Sequence, residues 1–413
     1  MRPGVRVMTG GRRALVASLT LGAAGVVGLL LAFLLDPGRT FYAYFTGYTF
    51  ALSLVHGAAI FLMICYAMNA TWPMAVRRLG DAVLAVMPLL AVLYLPIFFG
   101  YGHLYPWMHP ERVTEARVRE LLEHRAPWLN LPFFAIRSIV YLAFWVVACA
   151  LLRRASLDMD RDRDGAGAGG ADGDGAARAM REELKRRLRV RSAVLLVPMG
   201  LTITFAAFDW WMTLSPDWYS TMFGVYYFAG SFLGALALLT VLLWAGQRAG
   251  HLEQVGRPHY YALGRLLLSF VIFWAYIAYF QFFLVWIANK PTEVPWYLAR
   301  LARSHPGPRL VSQLLVVGHF FLPFLALLPY RVKRRGWLLA AISLWLLVAH
   351  YFDVHWLIAP ETGDRPGSAW VDLAALLGLG GACVAWGLWR QKGHPLVPVG
   401  DPDLERALAY ESH

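Results

Sequence analysis

Two carboxylates stand where an apolar chain has little reason to put them. Asp209 lies in FDWWMTLSP (208–216), near the end of an apolar run that starts at Ser192. Asp353 lies in FDVHWLIAP (352–360), so that Phe, Asp and Pro recur at the same offsets 144 residues later. His350 and His355 share the run of Asp353, other apolar runs hold Arg137, His56, His319, Gln281, Tyr226 and Tyr276, and Asn289 follows one of them. Acids and histidines gathered towards one side, with no nucleophile motif and no metal-ligand spacing, suit proton transfer. Quinol oxidation is one reaction of that kind. It releases two protons and two electrons, and it needs an acceptor for each hydroxyl and an apolar slot for ring and tail.

The runs that must position these groups are long. Of 413 residues, 58% are hydrophobic, with 17 Trp and 19 Tyr, more than a soluble core needs. Blocks of roughly 20 apolar residues with few charges predict transmembrane helices. Ten occur, at about 14–35, 42–68, 81–100, 131–153, 192–214, 222–245, 261–288, 310–329, 336–358 and 369–389. The expected fold is therefore an all-α integral membrane protein. The first block follows MRPGVRVMTGGRR, is too long for a signal core and lacks an A-x-A-like cleavage site, so it reads as a retained anchor. With the N-terminus inside, inner segments carry 26 of the 38 Lys and Arg and outer segments 10. The positive-inside rule then puts both termini in the cytoplasm. This bias accounts for the net charge of +12, and no basic face with interleaved aromatics points to nucleic acid. Cys65, Cys149 and Cys383 lie within apolar spans, and there is no CxxC or CxxCH. Neither a covalent c-type haem nor a cluster on this chain's own cysteines is expected.

The repeat fixes an organisation. Span 5 ends in FDWWMTLSP and span 9 in FDVHWLIAP; span 3 runs into YPWMHPE (105–111) and span 7 into VWIANKPTE (285–293). Spans 2–5 and 6–9 are thus expected to form two four-helix bundles in the same orientation, flanked by spans 1 and 10. Residues 1–41 form the tail and anchor helix and 42–153 the first part of bundle 1. A basic loop at 154–191 precedes its last helix at 192–221. Bundle 2 takes 222–360, and 361–413 the final helix and tail. A charge at mid-bilayer costs about 2.5–3.5 kcal/mol on insertion scales. Asp209 and Asp353 lie roughly 7 Å from the outer ends of their spans at the helical rise. Arg137 sits at a similar depth and His319 about one turn deeper, which suggests the pairs Arg137–Asp209 and His319–Asp353. Snorkelling for Arg137, plain packing for His56, and interhelical hydrogen bonding for Gln281 and Asn289 are the alternatives. His350 and Asp353 share a helix face from which His355 is turned away.

Two loops are distinctive. PERVTEARVRELLEH predicts a short amphipathic helix on the outer surface. The Asp/Gly/Ala stretch after Met159 reads as a disordered linker. Asp160, Asp162, Asp164 and Gly165 match half of an EF-hand loop, but Ala171 stands where the closing Glu is needed, so no metal site is expected. The basic run from Arg181 to Arg191 is expected to rest on anionic headgroups.

FDWWMTLSPDWYSTMFGVYYFAG (208–230), LGRLLLSFVIFWAYIAYFQFFLVWIAN (263–289), YPWMHPE, WLNLPFFAIR (128–137) and FDVHWLIAP resemble one of the two NrfD-like membrane subunits of alternative complex III, the second quinone-binding-type subunit of that complex. The NrfD-like superfamily also includes the membrane subunit of polysulfide reductase. The resemblance covers nearly the whole chain apart from the linker and tails. It implies ten spans in two four-helix bundles, in the bacterial inner membrane, within a quinol:electron-acceptor oxidoreductase that usually takes menaquinol. Implied partners are the other NrfD-like subunit, an iron–sulfur subunit and c-type cytochrome subunits, delivering electrons to cytochrome c or a terminal oxidase. The quinol site is attributed to the other NrfD-like subunit, and this chain to structure and a proton path. Asp209 and Asp353 then handle protons, with the histidines, Arg137, Tyr226, Tyr276 and Gln281 as path candidates. One departure is NKPTE after span 7, which leaves only Glu293 at an expected acidic mouth. A scaffold without its own site and a secondary transporter are the rival readings. A b-type cytochrome fits poorly, because the histidines are scattered singly over different helices.

Overall fold

A computed structural model describes residues 8, 11–166, 171–301, 303, 304, 306–362 and 369–411. Its described residues form helices and turns with no β-strand. Among the described residues, ten helical spans are long and apolar enough to cross a membrane. They are span 1 (Arg12–Leu35), span 2 (Pro37–Ala67), span 3 (Trp72–Phe99), span 4 (Leu131–Asp160) and span 5 (Ala179–Leu214). Span 6 (Phe223–Arg248), span 7 (Arg257–Ala288), span 8 (Gly307–Leu327), span 9 (Gly336–Ile358) and span 10 (Ala369–Gln391) complete them. The end carrying residues 100–130 is termed outer, after the expected orientation.

Packing follows the repeat. Span 2 packs on spans 3 and 5, and span 4 on the same two; span 6 packs on 7 and 9, and span 8 on the same two. The two rings meet through spans 2 and 6, the most buried of the ten. Their backbones approach so closely that a Cβ on Gly57 would collide with the Ser231 carbonyl oxygen. Small residues permit such contact where helices have no hydrophobic drive to associate. Span 10 packs on spans 1 and 2.

Several helices are interrupted, and the interruptions carry chemistry. Pro73, Pro88 and Pro96 divide span 3 into short helices, since proline withdraws a donor and crowds the preceding turn. Span 5 contains Pro198 and then a π-helical turn at Ala207–Trp211. Span 8 contains another at Leu315–Phe321. Asp209 lies in the first of these turns and His319 in the second. Asp353 lies in the unbroken helix Gly336–Ile358, so the two Phe-Asp motifs are not equivalent in backbone.

The predicted outer helix is present at Ala116–Arg125, with Leu122 buried. Helices Leu131–Ala166 and Ala171–Ala206 reach into the Asp/Gly/Ala stretch from both sides, where a disordered linker was expected. Residues 167–170 and the side chains of Asp162 and Asp164 lie outside the described residues. Asp160 engages Arg78 and accepts from the Gly400 amide at 2.8 Å. At this inner end the C-terminal segment is clasped by buried ions. Arg77 pairs with Asp401, Lys185 pairs with Asp403, and His259 Nε2 donates to the Ala407 carbonyl at 2.7 Å. Within the predicted headgroup-binding run, Glu183 thus holds Arg186 and Arg187 while Lys185 turns to the tail.

Candidate functional site

The first centre is the predicted pair of bundle 1. Arg137 meets Asp209 with two parallel bonds, Nε to Oδ2 at 2.8 Å and Nη2 to Oδ1 at 2.9 Å. Tyr141 donates to Oδ2 at 2.9 Å and the Trp128 indole to Oδ1 at 3.0 Å. Four donors therefore fill the sites an ionised carboxylate offers. The guanidinium is held too: Nη1 donates to the Trp128 carbonyl at 3.0 Å, and its carbon lies 4.2 Å from the Trp128 ring centroid and 4.4 Å from that of Phe133. Arg137 is 7% exposed, so it does not snorkel.

The second centre is built differently. Asp353 accepts at Oδ1 from the Tyr226 hydroxyl and at Oδ2 from the Trp274 indole at 3.1 Å. His350 Nδ1 lies 3.6 Å from Oδ2, and no Lys or Arg among the described residues pairs with this acid. The expected His319–Asp353 pair is not made. The His319 ring lies against Trp274, centroids 4.1 Å apart, and neither of its nitrogens has a partner among the described residues. Trp274 occupies the position between them and delivers its own N–H to the acid. Bundle 1 thus holds its acid with a permanent cation, bundle 2 with neutral donors and an imidazole.

The remaining candidates divide between this centre and other places. His350 Nε2 lies 2.8 Å from Ser53 Oγ, which joins span 9 to span 2. His56 is fully buried between the bundles, with Nδ1 3.2 Å from the Tyr227 hydroxyl and its ring edge-on to Trp145. His355 turns the other way, as its helix position requires. Its Nε2 lies 3.9 Å from Asp372, which Arg39 also engages. Gln281 accepts from Ser220 at 3.2 Å and donates to Tyr297 at 3.4 Å. Tyr276 is exposed and stacks on Phe280. Asn289 ends span 7 in a left-handed conformation, as a helix cap.

A cleft of 580 Å³ opens between spans 7 and 8 beside the second centre. Ile272, Tyr276, Tyr279, Val316 and Phe321, all exposed on the bundle flank, form its mouth. Tyr226, Trp274 and Trp356 form its depth, and Gln281, Tyr297 and Ser312 add polar groups to an otherwise apolar wall. Both hydrogen-bond donors of Asp353 therefore line the cleft. Burial pushes the Tyr297 hydroxyl up to about 12, so it meets any occupant as a neutral phenol.

Trp128, Tyr141, Trp274 and Ser53 were not singled out from sequence. Spacing could have found two of them: Tyr141 is four residues after Arg137, and Trp274 is seven before Gln281, each on its neighbour's helix face. Among the described residues no cluster of His, Cys, Asp and Glu could hold a metal ion, and the three cysteines are free thiols. No protein-family model matches this sequence, and no curated protein matches it.

Proposed function

We propose that this chain is a membrane subunit of a quinol:electron-acceptor oxidoreductase of the alternative complex III type, in a bacterial inner membrane with both termini cytoplasmic. It supports quinol oxidation by handling protons at Asp353. The observation that carries this reading is a buried acid without a cationic partner, one residue behind the wall of an apolar cleft that opens on the membrane-facing flank. A carboxylate so placed can gain and lose a proton; Asp209, saturated by a guanidinium, cannot do so without breaking a bidentate ion pair. Asp209 is therefore assigned a structural role and Asp353 the proton-handling one. Electrons leave to iron–sulfur clusters and c-type haems carried by partner subunits.

The cleft favours a second reading, in which a menaquinol ring sits in this chain as well as in the other NrfD-like subunit. Its volume falls within the 300–1,000 Å³ of ordinary small-molecule sites. One ring hydroxyl would meet Tyr226, and the isoprenoid tail would lie between Tyr276 and Phe321. Turnover and proton release by the purified complex, with Asp353→Asn and Asp209→Asn, test the assignment. Loss in Asp353→Asn at normal haem content supports it; wild-type behaviour makes the chain a scaffold.

A further inference from the structure

The hydrogen bonds around His350 point to where its proton lies. The Ser53 hydroxyl has one hydrogen, and its Oγ lies 2.7 Å from the Phe50 carbonyl, which can only accept. That hydrogen is spent there. Ser53 Oγ, 2.8 Å from His350 Nε2, must then accept, so Nε2 carries a hydrogen. A neutral imidazole protonated at Nε2 presents a lone pair at Nδ1. Nδ1 is buried without a hydrogen-bond partner and lies 3.6 Å from Asp353 Oδ2, just beyond hydrogen-bond distance, while Asp353 already receives Tyr226 and Trp274. Two lone pairs would confront each other in a buried site unless one more proton lies between them.

We propose that Asp353 and His350 share a single exchangeable proton, and that Ser53 is the positioning residue that keeps His350 Nδ1 free to receive it. The inference rests on the reading of Asp353 as the proton-handling acid. The pair is neutral in both of its forms, carboxylic acid with imidazole or carboxylate with imidazolium. In this it matches Arg137–Asp209, with the difference that its positive partner can be deprotonated. Transfer of the shared proton between the carboxyl and Nδ1 leaves the pair without net charge in the membrane. The pair carries one negative charge only after that proton has left, until a proton from the cleft replaces it by way of the Tyr226 hydroxyl. Tyr226 from span 6, His319 from span 8 and Ser53 from span 2 are the titratable or hydroxyl groups facing the pair. The His319 ring centroid lies 6.3 Å from that of His350, and no guanidinium or ammonium among the described residues pairs with either.

The test uses the purified complex carrying His350→Gln or Ser53→Ala, with haem content and melting as the check on assembly. His350→Gln is expected to lose about 100-fold in turnover, the lower range for removing a proton-transfer group, and to flatten its pH profile. Ser53→Ala is expected to displace the midpoint of that profile. Infrared difference spectra on quinol addition should show a carboxyl signal that Asp353→Asn abolishes, Asp209→Asn leaves and His350→Gln removes. Wild-type rate, profile and carboxyl signal in His350→Gln, with Asp353→Asn crippled, would overturn the shared proton alone. A silent Asp353→Asn would overturn the functional reading and this inference together.

Discussion

Arg137→Leu separates the two centres by energy. The substitution removes both bonds to Asp209, the bond to the Trp128 carbonyl and the stacking on Trp128 and Phe133. It leaves a carboxylate that is 2% exposed with only Trp128 and Tyr141 as donors. Breaking a buried pair from one side costs roughly 3–5 kcal/mol, because the remaining charge is uncompensated. At about 1.4 kcal/mol per factor of ten, the folding equilibrium constant falls by roughly 100- to 4,000-fold. Adding Asp209→Asn removes the stranded charge and should return about 0.5–3 kcal/mol as coupling. Asp353→Asn removes no partner of a fixed cation and should cost only on the order of 1–2 kcal/mol, the value of a buried hydrogen bond. The assay is equilibrium unfolding of the detergent-purified protein, read by tryptophan fluorescence. Equal losses for Arg137→Leu and Asp353→Asn, or no recovery in the double variant, would refute the division into a fixed and an exchangeable centre.

Other outcomes follow from the same geometry. Ala278→Trp fills the cleft and should raise the quinol KM tenfold or more, about 1.4 kcal/mol, if quinol occupies it; an unchanged KM leaves proton handling as the sole role. Asp401→Ala leaves Arg77 buried without its counter-ion and should cost roughly 3–5 kcal/mol, seen as melting at lower temperature and faster proteolysis of the C-terminal segment. Glu120→Cys should react with an impermeant maleimide from the periplasmic side, and Arg331→Cys only after permeabilisation. Both positions are exposed, and the reverse pattern would invert the proposed orientation.

The membrane spans were legible because length and hydropathy alone determine them. The predicted block 336–358 coincides with span 9, and the other spans differ only at their ends. The Arg137–Asp209 pair was legible because both groups lie at one depth in helices that pack together. His319 shows the limit of the same reasoning. Counting residues from the outer end gives a side chain's height but not its direction about the helix axis. The π turn at Leu315–Phe321 breaks the regular angular step there, and a ring that matched Asp353 in height came to rest on Trp274. His350 was correctly placed on the Asp353 face, since three residues along an unbroken helix preserve direction. Ser53 could not be read, because its importance comes from span 2 meeting span 9 and not from its own neighbours in sequence. The cleft, too, arises from packing between spans 7 and 8.

The central claim is that Asp353, and not Asp209, handles protons in quinol oxidation. Proton release per turnover by the purified intact complex, with Asp353→Asn compared against Asp209→Asn at equal haem content, tests it most directly. The account predicts that Asp353→Asn loses turnover or its linked proton release, while Asp209→Asn keeps both and loses stability. Full activity in Asp353→Asn, or selective loss in a stable Asp209→Asn, would contradict it.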